Sequence, residues 1–198
     1  MEVKLIKSIS MDQNCYLIKN GNTGILIDPG EDTFEILKET ENTDVKYILL
    51  THCHYDHIFS LKEIKGSKIV LGGDKIRRNI TDPKITFLPS CENLEGILDG
   101  YFADREVKNL CGIEIKCIYT EGHTDCSVCY LAENCVFTGD TLFYGSIGRW
   151  DFPTGDYEKL ENSVKNILYK LPNDTVVYPG HGESTTIGRE KKYGYFRG

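Results

Sequence analysis

All five histidines of the chain stand beside a glycine or beside another residue that can bind a metal. Three fall in the segment Thr51-His-Cys-His-Tyr-Asp-His57, one in Gly122-His-Thr124 and one in Pro179-Gly-His-Gly182. Imidazole is the commonest protein ligand for zinc and similar ions. This distribution therefore indicates metal chemistry, whereas scattered histidines would indicate surface or core packing.

The first segment has the pattern H-x-H-x-D-H. In an extended chain, residues two apart point the same way, so His52 and His54 can reach one ion. Asp56 and His57 would turn toward a second ion as the chain enters a helix. One catalytic zinc takes three protein ligands and a water, so a larger set suits two ions. The seven candidate ligands are His52, His54, Asp56, His57, His123, Asp140 and His181.

These candidates follow segments that read as β-strands. Val45 to Leu50 is a continuous apolar run, typical of a strand buried on both faces, and the histidine segment comes directly after it. Ile113 to Tyr119, Cys135 to Thr138 and Thr175 to Tyr178 precede the other three candidates. Loops at strand ends can converge on one edge of a sheet, which would bring distant ligands together.

Helical spacing of apolar residues predicts helices at Thr33 to Thr40 and Tyr157 to Tyr169, and a short one at Ile58 to Ile64. Segment 81–105 is rich in turn residues and has no clear element. Strands mixed with helices favour a layered α/β or α+β fold. The length suits a single domain over residues 1–198.

The composition is 40% hydrophobic and 27% charged, which is ordinary for a globular protein. The net charge of −7 argues against a nucleic-acid partner. The sequence contains no run of about 18 apolar residues, so it predicts no membrane span. The N-terminus lacks the apolar stretch of a signal peptide. We therefore expect a cytoplasmic protein whose eight cysteines are reduced.

The motifs together resemble those of the metallo-β-lactamase-fold superfamily, and within it the short, single-domain glyoxalase II-like (hydroxyacylglutathione hydrolase-like) enzymes. The resemblance extends from residue 14 to about 190. Besides the histidine segments, it rests on Asn14-Cys-Tyr16, Ile27-Asp-Pro-Gly30, Phe137-Thr-Gly-Asp140 and Gly145-Ser-Ile-Gly-Arg149. It implies a four-layer αββα sandwich with a metal site at one edge of the sheets.

The resemblance also implies a division of the ligands between two divalent ions, for which zinc is expected and iron or manganese stay open. The first ion would take His52, His54 and His123, the second Asp56, His57 and His181, with Asp140 bridging. Metal binding lowers the pKa of water from 15.7 to about 7. A metal-bound hydroxide, oriented by Asp56, would attack a small-molecule thioester or related acyl ester.

Other functions stay open at this point. One is a persulfide dioxygenase-like oxidoreductase, in which two histidines and an aspartate hold a single iron. A lactonase or another hydrolase of the superfamily is a second possibility, and a non-catalytic metal-binding module is a third. Neither the oligomeric state nor the acyl and thiol parts of the substrate follow from the sequence.

The sequence departs from the family pattern at three places. Asp125-Cys126 stands where the family has Pro-Gly, and Ser60 replaces the glycine of Asp-His-x-x-Gly. Only 17 residues follow His181, so we expect no C-terminal helical domain of the kind that holds glutathione in full-length glyoxalase II. Whether glutathione is the thiol of the substrate therefore stays open.

Four further residues are candidates for supporting roles. Arg149 would bind a substrate carboxylate or instead pair with a neighbouring aspartate. Phe143 and Tyr144 would line the pocket or pack in the core, and Asp28 would orient a ligand histidine or only form a turn. Cys53 is expected to pack away from the metal. In Cys126-x-x-Cys129, strand alternation places the two thiols on opposite faces.

Overall fold

The computed structural model describes residues 1–8 and 11–197. In it, strands with alternating apolar residues form two β-sheets that pack face to face. The strands are β1 Glu2–Lys7, β2 Asn14–Asn20, β3 Thr23–Ile27, β4 Asp44–Leu50, β5 Ile69–Gly73, β6 Gly100–Phe102, β7 Val107–Leu110, β8 Ile113–Tyr119, β9 Val128–Ala132, β10 Cys135–Gly139, β11 Leu142–Phe143, β12 Ser146–Ile147, β13 Val176–Pro179 and β14 Thr185–Thr186.

The first sheet has the order β1-β2-β3-β4-β5-β6, and the second has the order β14-β13-β10-β9-β8-β7. The first begins antiparallel and becomes parallel from β3 onward. In the second sheet only the β10–β13 pair is parallel. Strands β11 and β12 form a small separate hairpin.

The helices cover the outer faces of both sheets. They are α1 Thr33–Thr40, α2 Tyr55–Ile58, α3 Leu61–Lys65, α4 Ile76–Asn79, α5 Pro83–Thr86, α6 Tyr157–Asn162 and α7 Ile187–Tyr193. A 3₁₀ turn spans Cys91–Leu94, and α6 continues as a π-helical segment, Ser163–Ile167, and a 3₁₀ turn, Leu168–Lys170. None of the helices in the described residues has the length and apolar character needed to cross a bilayer.

Side-chain alternation along the strands separates three apolar layers. In β2, Leu17 faces the helices outside the first sheet, while the next residue, Ile18, packs between the two sheets. On the far side of the second sheet, Val136 packs against Leu160 of α6 and Ile187 of α7. The order of layers is therefore helix, sheet, sheet, helix, and the predicted αββα sandwich is confirmed.

Tyr130 connects the two sheets through a polar contact in their shared core. Its side chain lies in the layer between them and is fully buried. The hydroxyl donates a hydrogen bond of 2.8 Å to the backbone carbonyl of Leu50, at the end of β4. The hydrogen bond therefore joins the second sheet to the residue that directly precedes the histidine segment.

Two predicted helices differ from the structure. The segment predicted as one helix, Ile58 to Ile64, is divided between α2 and α3. The break occurs because the backbone N–H of Ser60 donates to the carbonyls of Pro29 and Gly30, outside the helix. The helix predicted from Tyr157 to Tyr169 is not α-helical throughout, since its middle part is the π-helical segment.

Candidate metal centre

Four of the candidate ligands lie on one continuous stretch that leaves the end of β4. Thr51 anchors this stretch, because its backbone N–H and its hydroxyl both donate to the carboxylate of Asp28, at 2.8 and 2.6 Å. The chain then runs extended through His54, whose ψ is 148°, and enters α2. Thus His52 and His54 lie on extended backbone, and Asp56 and His57 lie on the first turn of a helix, as predicted.

The other three candidates reach the same edge from the second sheet. His123 follows β8, Asp140 follows β10 and His181 follows β13. The parallel pairing of β10 with β13 places the last two side by side, and the N–H of Gly180 donates to the carbonyl of Gly139 at 2.8 Å.

Strand β2 of the first sheet holds the His181 loop in place. The side-chain amide of Asn14 donates to the carbonyls of Pro179 and Gly182, each at 2.9 Å. The hydroxyl of Tyr16 donates to the carbonyl of Pro179 at 2.7 Å. The loop that carries the last histidine is therefore fixed by residues near the start of the chain.

Six of the candidate ligands form two groups of three, and within each group the ligand atoms lie no more than 4.8 Å apart. One group is His52, His54 and His123, and the other is Asp56, His57 and His181. The carboxylate of Asp140 lies between them: one oxygen is 3.3 Å from Nε2 of His57, and the other is 3.5 Å from Nε2 of His123. The structure thus brings all seven predicted ligands to one place.

The buried donors at this place fit divalent cations. Among the described residues, the Nε2 atoms of His52, His54 and His57 and one oxygen of Asp140 are inaccessible to solvent and make no hydrogen bond. An unsatisfied buried polar atom is costly, and several that face one another would be satisfied together by a cation. Nitrogen and carboxylate oxygen are the donors that zinc and iron accept.

Hydrogen bonds at Nδ1 orient the rings so that Nε2 faces the site. Nδ1 of His57 lies 2.9 Å from the Asp28 carboxylate, and Nδ1 of His123 lies 2.7 Å from the carbonyl of Arg149. Nδ1 of His181 lies 3.2 Å from the carbonyl of Met11. Such partners fix the tautomer of a ligand histidine and raise its basicity.

Three of the candidate ligands have pKa shifts that favour the metal-binding form, whereas, against the effect of burial, the carboxylates of Asp56 and Asp140 raise the pKa values of His57 and His181 in the metal-free protein. Burial lowers the pKa of His54 to about 3 and that of His52 well below its usual value, so both imidazoles are neutral. Burial opposes ionisation of Asp140, but the nearby His57 and His123 outweigh this effect and hold the pKa of the carboxyl well below its usual value. Neutral imidazole and ionised carboxylate are the forms that coordinate metals.

A cavity of about 210 Å³ opens directly over the ligands. Its apolar walls come from Met11, Tyr55, Phe87 and Phe152. The Phe87 ring lies 5.2 Å from those of His54 and Phe152, and its backbone is left-handed, with φ of 57°. Sequence reasoning missed these four residues, and the only available signal for Phe87 was its position in an unassigned, turn-rich segment.

The residues predicted for substrate binding lie around this cavity. Arg149 is exposed and pairs with Asp151 through two contacts of 2.9 Å, while its guanidinium carbon is 4.1 Å from the centre of the Phe152 ring. Phe143 and Tyr144 line a neighbouring cavity of about 360 Å³ that also includes His181. Of the alternatives for Arg149, the aspartate pair is therefore present.

Asp28 lies beneath the site and contacts both the Thr51 anchor and His57. It is buried, and its backbone is left-handed, with φ of 51°. Strain of this kind is typical of functional positions. The carboxylate is also within 4.8 Å of donor atoms on His52 and His57, so a role in orienting ligands fits its position.

Comparisons with known proteins agree with this architecture. The sequence profile of the Metallo-beta-lactamase superfamily matches residues 11–72 and 112–181. Hydroxyacylglutathione hydrolase GloC of Haemophilus influenzae is 33% identical over 97% of this chain and 96% of its own length. The crystal structure of BLEG-1 B3 metallo-β-lactamase has a TM-score of 0.88 at 31% identity, covering 98% of this chain and 99% of that one. ETHE1 from Myxococcus xanthus has a TM-score of 0.82 at 26% identity, covering 98% and 84%.

Proposed function

The chain belongs to the metallo-β-lactamase superfamily, and from that premise we propose that it is a binuclear hydrolase of thioesters or related acyl esters. The observation that carries the proposal is the position of Asp140, whose two oxygens face histidines of different ligand groups. A carboxylate in this position can contribute one oxygen to each of two ions, whereas a one-ion site has no need of it. The similarity to GloC supports the thioester as the substrate class.

In this proposal each group of three would hold one ion, and Asp140 would be a ligand shared by the two. When bound, the ions supply Lewis acidity and lower the pKa of a coordinated water to near neutrality. The donor set accepts zinc, and iron or manganese fit it as well.

The protein side chains position and orient the reactants. The Asp56 carboxylate lines the cavity and lies 3.1 Å from Nε2 of His181, so it can accept a hydrogen bond from the attacking water and orient it. Asp28 and the Arg149 carbonyl hold the Nδ1 protons of His57 and His123. These bonds keep the ligand rings in one orientation throughout the reaction.

The cavity walls supply the substrate contacts. Met11, Phe87 and Phe152 exclude water from the acyl group above the ligands. The leaving group extends toward the neighbouring cavity with Phe143 and Tyr144, which shares His181 with the first. Arg149 stands at the edge beside Phe152, where it can meet a polar end of the acyl group.

A persulfide dioxygenase-like reaction is the second candidate, because of the structural similarity to ETHE1 from Myxococcus xanthus. A single iron held by two histidines and an aspartate would suffice for it. The group formed by Asp56, His57 and His181 would then have no use, although its donor atoms lie within 4.8 Å of one another. This geometry favours the hydrolase.

Metal analysis combined with a substrate panel separates these possibilities. Zinc-loaded and iron-loaded protein are assayed on a hydroxyacylglutathione, on acyl thioesters of smaller thiols, on a β-lactam and on a persulfide. Two equivalents of metal and release of free thiol are expected. One equivalent of iron with oxygen consumption on the persulfide would overturn the proposal in favour of the second candidate. Bound metal without turnover on any of the substrates would exclude both.

A further inference from the structure

The two residues that replace the family's Pro-Gly are both engaged by partners. The carboxylate of Asp125 pairs with Arg78 and accepts a 2.6 Å hydrogen bond from the side chain of Asn79. The sulfur of Cys126 lies 3.7 Å from the sulfur of Cys53 and 3.3 Å from the hydroxyl of Thr124. The departure from the family pattern thus creates a pair of thiols in contact.

This pair joins the two loops that carry the first group of histidines. Cys53 stands between His52 and His54, and Cys126 follows His123 by three residues. The first loop leaves β4 in one sheet, and the second loop connects β8 to β9 in the other. Of the eight cysteines, all within the described part of the chain, these are the only two whose sulfurs are in contact.

We propose that Cys53 and Cys126 form a site of reversible oxidation by hydrogen peroxide, which links the two histidine-bearing loops by a disulfide. In the net reaction two S–H bonds and the O–O bond of the peroxide break, and one S–S bond forms. Two electrons pass from the sulfurs to the peroxide. Its two oxygens leave as two water molecules, which take up the thiol protons.

Burial determines which oxidant can act. Cys53 is 0% exposed and Cys126 is 3% exposed, within an apolar cluster that includes Ile58 and Leu61. A bulky disulfide such as oxidised glutathione cannot place its sulfur against either thiol, whereas peroxide is only slightly larger than water. A sulfenic acid formed on one sulfur lies beside the other thiol, so it condenses to a disulfide before further oxidation.

Formation of the disulfide must move the loops. A disulfide bond is about 2.05 Å long, so the two sulfurs must approach by roughly 1.6 Å. Since the neighbours of Cys53 on both sides are ligand candidates, this approach shifts His52 and His54 relative to His123. The oxidised protein is therefore expected to release metal faster than the reduced protein.

Peptide mapping tests the linkage directly. Zinc-loaded protein is treated with peroxide, alkylated, digested and analysed by mass spectrometry. The expected product is one crosslinked peptide pair containing Cys53 and Cys126, with an intact mass lower by two hydrogens, and dithiothreitol removes it. Sulfinic acid at either cysteine without a crosslink, a disulfide between other cysteines, or no reaction would overturn the proposal.

Two variants and a second oxidant complete the test. Cys126→Ala should form no crosslink, whereas Cys91→Ala, at a buried cysteine of the same apolar cluster, should form it as the wild type does. Oxidised glutathione should react far more slowly than peroxide, and equal rates would overturn the burial argument. Transfer of zinc to a chelator should be roughly tenfold faster after oxidation, and an unchanged rate would overturn the coupling to the histidines.

Discussion

The first sheet and the second sheet contribute to the metal centre in opposite ways. The first supplies four candidate ligands within six consecutive residues, His52 to His57, after a single strand. The second supplies His123, Asp140 and His181 from loops after three different strands. The first region owes its geometry to local backbone conformation, whereas the second depends on which strands pair and in what register.

The second region is correspondingly intolerant of small changes. A Cβ at Gly180 would overlap with the carboxylate of Asp140 and crowd the ring of His57. The two loops that meet there can approach only because no side chain stands between them. The first region is anchored by the pair of Thr51 contacts to Asp28 and by the N–H of Val128, which donates to the carbonyl of Thr51.

The largest expected effect comes from Asp140→Asn, which removes the charge that joins the two regions. The bridging interaction is worth several kcal/mol in the transition state, so kcat/KM should fall by about a thousandfold. Metal content should fall from two equivalents toward one. Asp174→Asn, at an exposed carboxylate before β13 and at the end of that strand opposite His181, is the control. Full activity with two bound ions would contradict the bridging role.

Removal of the metal with a chelator should destabilise the two regions unequally. Each ion adds roughly 3 kcal/mol to the free energy of unfolding when free metal is about a hundredfold above Kd. Hydrogen exchange should increase most in the loops after β8, β10 and β13. It should increase less in α2, where His57 keeps its backbone bond to His54. Equal loss of protection in both regions would mean that local conformation does not preorganise the first.

Asp28→Asn tests the anchor of the first region. Asparagine tolerates the left-handed backbone at this position, so only the charge and one acceptor are lost. The affinity for the ion near His57 should fall by roughly 10–100-fold, and added metal should restore activity. Asp12→Asn is a matched control, since Asp12 is also left-handed, with φ of 56°. Equal metal affinity in both variants would contradict a role of Asp28 in orienting His57 and would leave it only a role in the turn.

The smallest effect is expected for Tyr130→Phe, which removes the hydrogen bond between the sheets. The carbonyl of Leu50 loses this donor in a buried position, so the free energy of unfolding should fall by about 1–2 kcal/mol. Metal content should not change, because the core still sets the spacing of the sheets. Tyr101→Phe, at an exposed tyrosine, should be neutral in chemical denaturation. Loss of metal in Tyr130→Phe would show that this one contact aligns the regions.

The same contrast explains what the sequence could predict. The pattern of the first region is readable because alternation and helix entry act over neighbouring residues. The convergence of the other ligands was expected from their places after strands, and the division of the seven ligands between two ions then followed from the family resemblance. The division of the Ile58 to Ile64 helix was not readable, since Ser60 bonds to a loop 30 residues earlier. The π-helical segment was missed for a similar reason, because Ser163 bonds to the carbonyl of Glu121.

The cavity walls were also beyond sequence reasoning. Phe87 reaches His54 from a segment without periodicity, and its left-handed backbone is unusual for a large residue. Asp125 could not be assigned a partner, because Arg78 lies 47 positions earlier and becomes its neighbour only in the folded chain. Such contacts arise from packing between elements rather than from patterns within them.

The contacts of Asn14 and Tyr16 with the His181 loop have a consequence for the order of events during synthesis. They join residues 163 to 168 positions apart, so β2 is made long before its partner exists. Contacts of such separation form late, because a long stretch of chain must be ordered first. A nascent chain could present His52 to His57 early, yet the second group of ligands would stay incomplete until the His181 loop emerged. Binding of metal at the complete site would then indicate that the His181 loop has packed against β2.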